Sequence, residues 1–421
     1  MEQLLHYVWK HKIFPLTPLK TVEGLPIEVI DTGLPNTNAG PDFFNAKIRI
    51  DGTLWVGNVE IHVHSSDWLR HGHNLDPAYD SVILHLASDI DYAPCRTNGE
   101  PIPQMELHYP DYLRKNYDEL MRTDHYPPCY KLINKLPKIL IHSWLNALQT
   151  ERFTMKTKQI EELYEICGRD WERVFFISLA RSFGFGVNSD AFERWAKCVP
   201  LAAVAKHRDS LFQIEAIFFG RAGLINVKTT DNYARHLEKE YTYLSYKFSM
   251  EPHPDCGWRF LRLRPGNFPH VRIAQLASLY SRSTGMLSVI LDAESLDQLR
   301  EVFSVATSVY WITHYSFGCT SDPRPKRLSR QSIDLLIINA VIPMLYAYGR
   351  HKCDDRLCQR AESFLEKLKP ENNVITRMWK DCGLEAEHAG DSQALIQLKK
   401  NYCDTRKCLF CRIGYEYFKK T

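Results

Sequence analysis

The sequence lacks a long uninterrupted apolar run. Its longest such run, residues 335–346, is broken by Asn339 and Pro343 and is shorter than the ~20 residues of a bilayer-spanning helix. The N-terminal residues also lack the basic, apolar and small-residue pattern of a secretory signal. We therefore expect a soluble, cytoplasmic protein without a membrane partner.

The chain has little net charge, because 53 Lys and Arg residues are balanced by 50 Asp and Glu residues, which leaves +3. This balance does not indicate a nucleic-acid-binding protein, although basic residues gathered on one face would still make one. The length of 421 residues and the apolar content of 44% predict two or three globular domains. Twelve cysteines without a signal peptide indicate a metal site or buried thiols rather than a disulfide framework.

The pattern of apolar residues predicts an α+β fold. Strand-like alternation comes first and helical periodicity follows, so we expect a sheet domain over residues 1–130 and a mostly helical domain over residues 131–421. Residues 45–50 and 53–64 form a predicted hairpin around Asp51-Gly52, because both turn positions tolerate a positive φ.

One strand of this hairpin carries an acid and two histidines. With a period of two, Glu60, His62 and His64 share one face, and the apolar residues between them share the other. Asp42 directly precedes the partner strand, so it lies near Glu60 if the hairpin pairs in register. Two carboxylates on adjacent strands can hold Mg²⁺ or Mn²⁺ and orient a water for phosphodiester hydrolysis.

These residues resemble the signature of the PD-(D/E)XK nuclease superfamily, in which Pro-Asp opens one strand and acid-x-Lys lies on the next. Pro41-Asp42 matches the first element, and Glu60-Ile61-His62 matches the second. The resemblance implies a mixed sheet with flanking helices, in which Asp42 and Glu60 are catalytic Mg²⁺ ligands and Glu28 is an additional upstream acid. It also implies metal-dependent hydrolysis of a nucleic acid. We expect DNA rather than RNA.

His62 stands where that superfamily has lysine. A neutral imidazole lacks the fixed charge of lysine, so His62 acts as a base or a metal ligand, or Lys47 on the neighbouring strand supplies the amine. The alternative is that catalysis has been lost and that the protein is a nucleic-acid-binding or assembly module. The small net charge and the histidine itself fit this second interpretation.

The whole chain further resembles an uncharacterised domain-of-unknown-function family of Bacteroidetes-type bacteria. The resemblance rests on stretches spread over the sequence, among them residues 40–43, 59–68, 71–73, 264–269 and 402–414. It identifies a family without implying an activity.

Five of the 17 histidines lie between residues 62 and 85, which permits a separate hydrolase site for a transition metal. The candidate ligands are His62, His64, His71 and His73, with Asp67, Asp76 and Asp80 nearby. His85 lies in an apolar run, and we expect it to be a hydrogen-bonded core residue.

Cys403, Cys408 and Cys411 have the spacing C-x4-C-x2-C, in which the x2 pair is a common metal-binding element. Nearby Arg406, Lys407 and Arg412 favour the thiolate form. We expect these cysteines to bind Zn²⁺ or an iron–sulfur cluster, with a distant fourth ligand. The candidates for that ligand are Cys319, Cys353, Cys358, Cys382, His351 and His388.

A stretch that begins at Trp258 interleaves arginine with aromatic and apolar residues. Alternation places Arg262 and Arg264 on one face, where they suit the phosphates of a nucleic acid. The alternative is an ordinary amphipathic strand or loop whose arginines pair with acids or helix ends.

Overall fold

The computed structural model of the protein describes residues 1–14, 18–36, 38–225, 231–251, 255–282 and 285–419. The strands are β1 Leu19–Lys20, β2 Pro26–Asp31, β3 Leu34–Pro35, β4 Phe43–Ile50, β5 Thr53–His64, β6 Val82–Asp89, β7 Gln104–Glu106, β8 His314–Ser316 and β9 Cys319–Thr320. The helices of the first 210 residues are α1 Glu2–Lys10, α2 Asp67–Arg70, α3 Asp111–Arg122, α4 Tyr130–Ile133, α5 Lys138–Ile166, α6 Trp171–Phe183, α7 Ser189–Cys198 and α8 Leu201–Lys206. Those that follow are α9 Leu211–Arg221, α10 Asn232–Lys247, α11 Pro269–Tyr280, α12 Met286–Asp292, α13 Leu296–Phe303, α14 Arg330–Leu336, α15 Ile342–Lys352, α16 Asp355–Lys367, α17 Val374–Asp381, α18 Ala389–Leu398 and α19 Arg412–Lys419.

The chain divides into two compact units. The first contains Met1–Ile141 together with Leu398–Thr421, and the second contains His142–Gln397. The sequence-based division after residue 130 differs from this, because the C-terminal segment belongs to the sheet-containing unit. The segment is held there by α3, where Asn116 donates a hydrogen bond to the Tyr417 carbonyl at 3.1 Å. The α+β class is confirmed by the mixed sheet and the long helical region.

The first unit is built on a seven-stranded mixed sheet. Its order is β1-β2-β4-β5-β6-β7, and β3 pairs with β4 at the edge. Strands β4 and β5 form the predicted antiparallel hairpin, with φ of 45° at Asp51 and 79° at Gly52. The pairs β5–β6 and β6–β7 are parallel.

Both faces of β5 are buried over residues 59–62, whereas its first four residues are exposed. Val59, Glu60, Ile61 and His62 are all buried, whereas the sequence pattern predicts that Glu60 and His62 share an open face. The difference arises after β5, where α2 and the 3-10 turn His73–Leu75 return the chain and bring the buried Trp68 and His73 side chains against His62. The acid and histidine on this strand are therefore enclosed rather than solvated.

The second unit is a bundle of helices around one apolar core. Buried aromatic residues dominate it, including Phe176, Phe218 and Trp195, and every residue of α11 is buried. The apolar helix Arg330–Lys352 combines α14, a π turn and α15 over 23 residues. Of its most apolar stretch of 18 residues, 61% is buried inside the protein. This burial is consistent with a core helix of a soluble protein.

Candidate metal centre

The hairpin brings Asp42 and Glu60 together as the sequence predicts. Phe43 pairs with Val59 in the sheet. This register places Asp42, the residue before β4, next to Glu60, the residue after Val59. Glu60 Oε2 accepts a hydrogen bond from the Asp42 backbone nitrogen at 3.0 Å, and Asp42 Oδ2 accepts one from the Ile61 nitrogen at 3.0 Å. These reciprocal bonds fix both carboxylates, so their convergence is a consequence of strand register.

Helix α1 adds a third acid and a histidine. It buries Leu4, Leu5 and Val8, and this orientation leaves Glu2 and His6 one turn apart. The Nε2 atom of His6 lies 3.2 Å from Asp42 Oδ2 and 3.8 Å from Glu2 Oε1. One ligand atom from each of Glu2, His6 and Asp42 lies within 4.8 Å of the others. These three residues therefore form a group with the size of a metal site.

A second group contains three histidines. His62 on β5, His71 after α2, and His73 in the following 3-10 turn present ring nitrogens that all lie within 4.8 Å of one another. Glu60 Oε1 lies 3.2 Å from His73 Nε2 and 3.5 Å from His62 Nε2. Glu60 thus connects the two groups, with one oxygen near Asp42 and the other near the histidines. We call the seven residues the acid–histidine cluster: Glu2, His6, Asp42, Glu60, His62, His71 and His73.

His85 supports this cluster from β6. Its Nε2 atom lies 2.9 Å from His62 Nδ1, and its side chain is fully buried. The expectation of a hydrogen-bonded core histidine is confirmed. Because one ring nitrogen of His62 is engaged by His85, the other is directed towards Glu60 and His71.

The cluster contains little positive charge apart from that of His6, whose pKa is raised because burial lowers it less than Asp42, Glu2 and Glu60 raise it. Burial, reinforced by neighbouring histidines, lowers the pKa of His62 to about 2, and burial lowers that of His85 to about 3, so both rings are neutral. Burial and the adjacent Asp42 raise the pKa of Glu60 to about 9. Among the described residues, no Lys or Arg forms an ion pair with Asp42 or Glu60. Neutral imidazoles are the metal-ligating form, and a divalent cation would offset the carboxylate charge.

Glu28, the predicted upstream acid, lies elsewhere in the sheet. It pairs with Arg49 near the far end of β4, roughly 20 Å along the strand from Asp42 at about 3.3 Å per residue. The acid that reaches Asp42 is Glu2 instead. Lys47 is exposed and pairs with Val56 in the ladder, at a distance from Glu60 along β5. The structure therefore brings neither Glu28 nor Lys47 to the predicted site.

The other predicted polar residues of this region have local structural partners. Asp67 pairs with Arg70, and His64 lies 3.1 Å from Asp89 at the surface. Asp76 caps the 3-10 turn Pro77–Tyr79, and Asp80 accepts two hydrogen bonds from Thr97. None of the predicted acids 67, 76 and 80 belongs to the two ligand groups found among the described residues.

Arg262 and Arg264 lie in the second unit and do not share a strand face. The segment turns at Leu261 and Arg262, where φ is +63° at Arg262, and Pro265–Asn267 forms a 3-10 turn. The predicted alternation is wrong, because Arg262 adopts a left-handed conformation within a turn instead of continuing an extended strand. Both arginines are nevertheless exposed to solvent.

The three C-terminal cysteines converge in the first unit, and a fourth cysteine joins them. Cys403, Cys408 and Cys411 line one cavity with Cys129, and all four are buried. The candidate fourth ligands from the sequence all fall in the second unit, whereas Cys129 is in the same unit as the other three. Burial raises the pKa of Cys408 to about 11 despite the nearby Arg406, so adjacent cations do not by themselves maintain a thiolate.

Sequence reasoning missed Glu2, His6 and Cys129. Glu2 and His6 could have been identified from their spacing of four residues among apolar neighbours, because this spacing places both on one helix face. Cys129 follows Pro127 and Pro128 in a connector, and no local pattern relates it to cysteines almost three hundred residues later.

The first unit is therefore a mixed-sheet domain that carries a candidate metal centre of acids and histidines. Residues 2–374 match the model of the family described as protein of unknown function DUF2851, and the chain belongs to that family. The predicted membership of a family of unknown function is thereby confirmed over residues 2–374. No curated protein and no solved structure matches the chain.

Proposed function

We propose that this protein is a metal-dependent phosphodiesterase that acts on nucleic acid. The single observation that supports it most is the convergence of Asp42 and Glu60 with two groups of metal-ligating atoms. Asp42 at the start of one strand and Glu60 on the next also follow the arrangement of the PD-(D/E)XK superfamily. The proposal is therefore supported by geometry as well as by the short sequence motif.

The residues of the acid–histidine cluster have separate tasks in this proposal. A bound divalent cation lowers the pKa of its water and offsets charge on the phosphate. Asp42, Glu2 and His6 would hold the cation at the α1 side, and Glu60 would contribute from β5. His62 is 1% exposed and points to His71 and Glu60, which favours a ligand role over that of a solvent-accessible base.

The two ligand groups have different metal preferences. Carboxylate-rich sites suit Mg²⁺ or Mn²⁺, whereas imidazole-rich sites suit zinc and related transition metals. Because Glu60 contacts both groups, the arrangement is compatible with two cations that share one carboxylate. Mn²⁺ accepts both kinds of ligand, so we expect it to support activity at least as well as Mg²⁺.

Nucleic acid is the proposed partner, and DNA is preferred to RNA in this proposal. Exposed Arg262 and Arg264 would contact phosphates, which position a nucleic acid without reading its sequence. The cytoplasm is the proposed location, because a DNA or RNA substrate is present there.

The test is cleavage of single- and double-stranded DNA and RNA in Mg²⁺, Mn²⁺ or Zn²⁺, each compared with EDTA. We expect metal-dependent cleavage by the wild type and its loss in Glu60→Gln and Asp42→Asn. Glu28→Gln is the matched control, because Glu28 is an exposed glutamate of the same sheet that pairs with Arg49. Cleavage that survives in Glu60→Gln would contradict the proposed site.

A second candidate function is favoured by one observation. His62 occupies the lysine position, and no described amine replaces it at Glu60. Metal binding by the folded wild type without cleavage of any substrate would favour a nucleic-acid-binding or assembly module. A nucleic-acid binding assay with Arg262→Ala and Arg264→Ala would then identify the surface that this module uses.

A further inference from the structure

Four cysteines from two distant parts of the sequence meet inside the first unit. Cys129 lies in the loop between α3 and α4, and the other three lie in the C-terminal segment. All line the same cavity, together with apolar neighbours such as Leu120 and Pro128. We propose that Cys129, Cys403, Cys408 and Cys411 hold a soft metal centre through four thiolates, with Cys129 as the fourth ligand.

The protein positions the two cysteine-bearing segments through contacts of its own. The Tyr126 hydroxyl donates a hydrogen bond to Asp404 Oδ1 at 2.6 Å. The C-terminal segment donates in return: the Arg406 guanidinium donates hydrogen bonds to the Leu120 carbonyl at 2.9 Å and to the Thr123 carbonyl at 3.1 Å. The bonded residues lie shortly before Cys129 on one segment and shortly after Cys403 on the other, so the protein's own contacts align the two segments.

Gly414 permits the close approach within the C-terminal segment. A Cβ atom at this position would lie 1.9 Å from the Cys408 backbone oxygen, which is far inside van der Waals contact. Only glycine therefore allows α19 to begin against the 3-10 turn Cys408–Phe410. The turn and the helix together hold Cys408 and Cys411 at the cavity.

Four buried thiols suit a soft metal, which is either one zinc ion or an iron–sulfur cluster. Among the described residues, two groups have three ligand atoms that all lie within 4.8 Å of one another, and both belong to the acid–histidine cluster. The cysteine sulfurs do not form such a group. One tetrahedral zinc with bonds of about 2.3 Å would bring the four sulfurs to about 3.8 Å from one another, closer than the described positions. A cluster would need more room than the cavity of about 10 Å³ provides, so either metal requires the cysteines to adjust on binding. The C-x4-C-x2-C spacing with one distant cysteine is also a known iron–sulfur ligand pattern.

Such a centre would join the loop after α3 to the C-terminal segment. Its role is structural, and it does not depend on the proposed phosphodiesterase activity. The two proposals are tested separately, because metal content and cysteine protection are measured without a substrate.

The first experiment measures iron, zinc and acid-labile sulfide in the full chain, purified without oxygen and also after reconstitution with iron and sulfide. We expect one bound metal centre per chain in the wild type, either zinc or iron with sulfide and visible absorption, and its loss in Cys129→Ser. Cys95→Ser is the control, because Cys95 is in the same unit but does not line the cavity. Circular dichroism establishes that the variants are folded.

A second measurement needs no variant. Native wild type is alkylated with and without prior removal of the metal, and the modified peptides are identified by mass spectrometry. We expect protection of all four cavity cysteines, but not of the exposed Cys319, until the metal is removed. Absence of any bound metal after reconstitution, or alkylation of native Cys129 as fast as Cys319, would overturn the proposal.

Discussion

Glu215 in α9 gives the second unit a stability that depends on pH. Its side chain is fully buried, and one oxygen accepts hydrogen bonds from the Tyr233 hydroxyl and from Trp311 Nε1. The other oxygen, Oε1, has no hydrogen-bond partner in the described part of the chain. Burial raises the pKa of Glu215 to about 7 from its ordinary value of 4.5, despite these hydrogen bonds.

The sign and size of the effect follow from proton linkage. The folded state holds the proton more tightly than the unfolded state, so the stabilisation is full below pH 4.5 and is lost as the pH rises through about 7. The shift from 4.5 to about 7 corresponds to about 3 kcal/mol at about 1.4 kcal/mol per unit, as an order of magnitude. Glu215→Gln keeps a neutral polar side chain and should remove this dependence.

The assay is urea unfolding of wild type and Glu215→Gln at about pH 5 and about pH 8, followed by tryptophan fluorescence. We expect the wild type to lose about 2.5 kcal/mol relative to the variant between these conditions, because a small part of the effect is already lost at about pH 5. Glu301→Gln on the exposed side of α13 is the matched control and should follow the wild type. Parallel pH dependence of wild type and Glu215→Gln would refute the reasoning.

Three further predictions concern the two candidate metal sites. His85→Ala removes the partner of His62 Nδ1 and should weaken metal affinity about 10–100-fold in a binding titration; an unchanged affinity would contradict the positioning role. Glu2→Gln should reduce metal-dependent cleavage roughly tenfold or more because it removes a ligand atom, whereas Glu28→Gln should leave the rate unchanged. Gly414→Ala should lower the free energy of unfolding by about 1–3 kcal/mol because its Cβ meets backbone, as measured by urea unfolding. Gly266→Ala, which meets open space, is the control, and equal midpoints would contradict the packing argument.

The parts of the fold that sequence predicted are those set by local patterns. Turn chemistry at Asp51-Gly52 identified the hairpin, and its register then placed Asp42 beside Glu60. The alternation of β5 correctly separated the two faces, but it could not reveal that a later segment covers the second face. Burial of Glu60 and His62 depends on Trp68 and His73, which follow the strand.

The parts that sequence did not predict depend on contacts between distant segments. Glu2 reaches Asp42 only because α1 packs on the sheet, and Cys129 reaches Cys403 only because the C-terminal segment returns to the first unit. Glu28 was a reasonable candidate by residue type, but strand pairing places it opposite Arg49. Periodicity describes which face a residue occupies and carries no information about such returns of the chain.

The central claim is that Asp42 and Glu60 belong to a metal centre. The most direct measurement is a Mn²⁺ titration followed by electron paramagnetic resonance, in which free Mn²⁺ gives the signal. We predict that wild type and Glu28→Gln bind Mn²⁺, whereas Glu60→Gln and Asp42→Asn, folded by circular dichroism, bind at least about tenfold more weakly. Equal Mn²⁺ binding by wild type and both site variants would contradict the account.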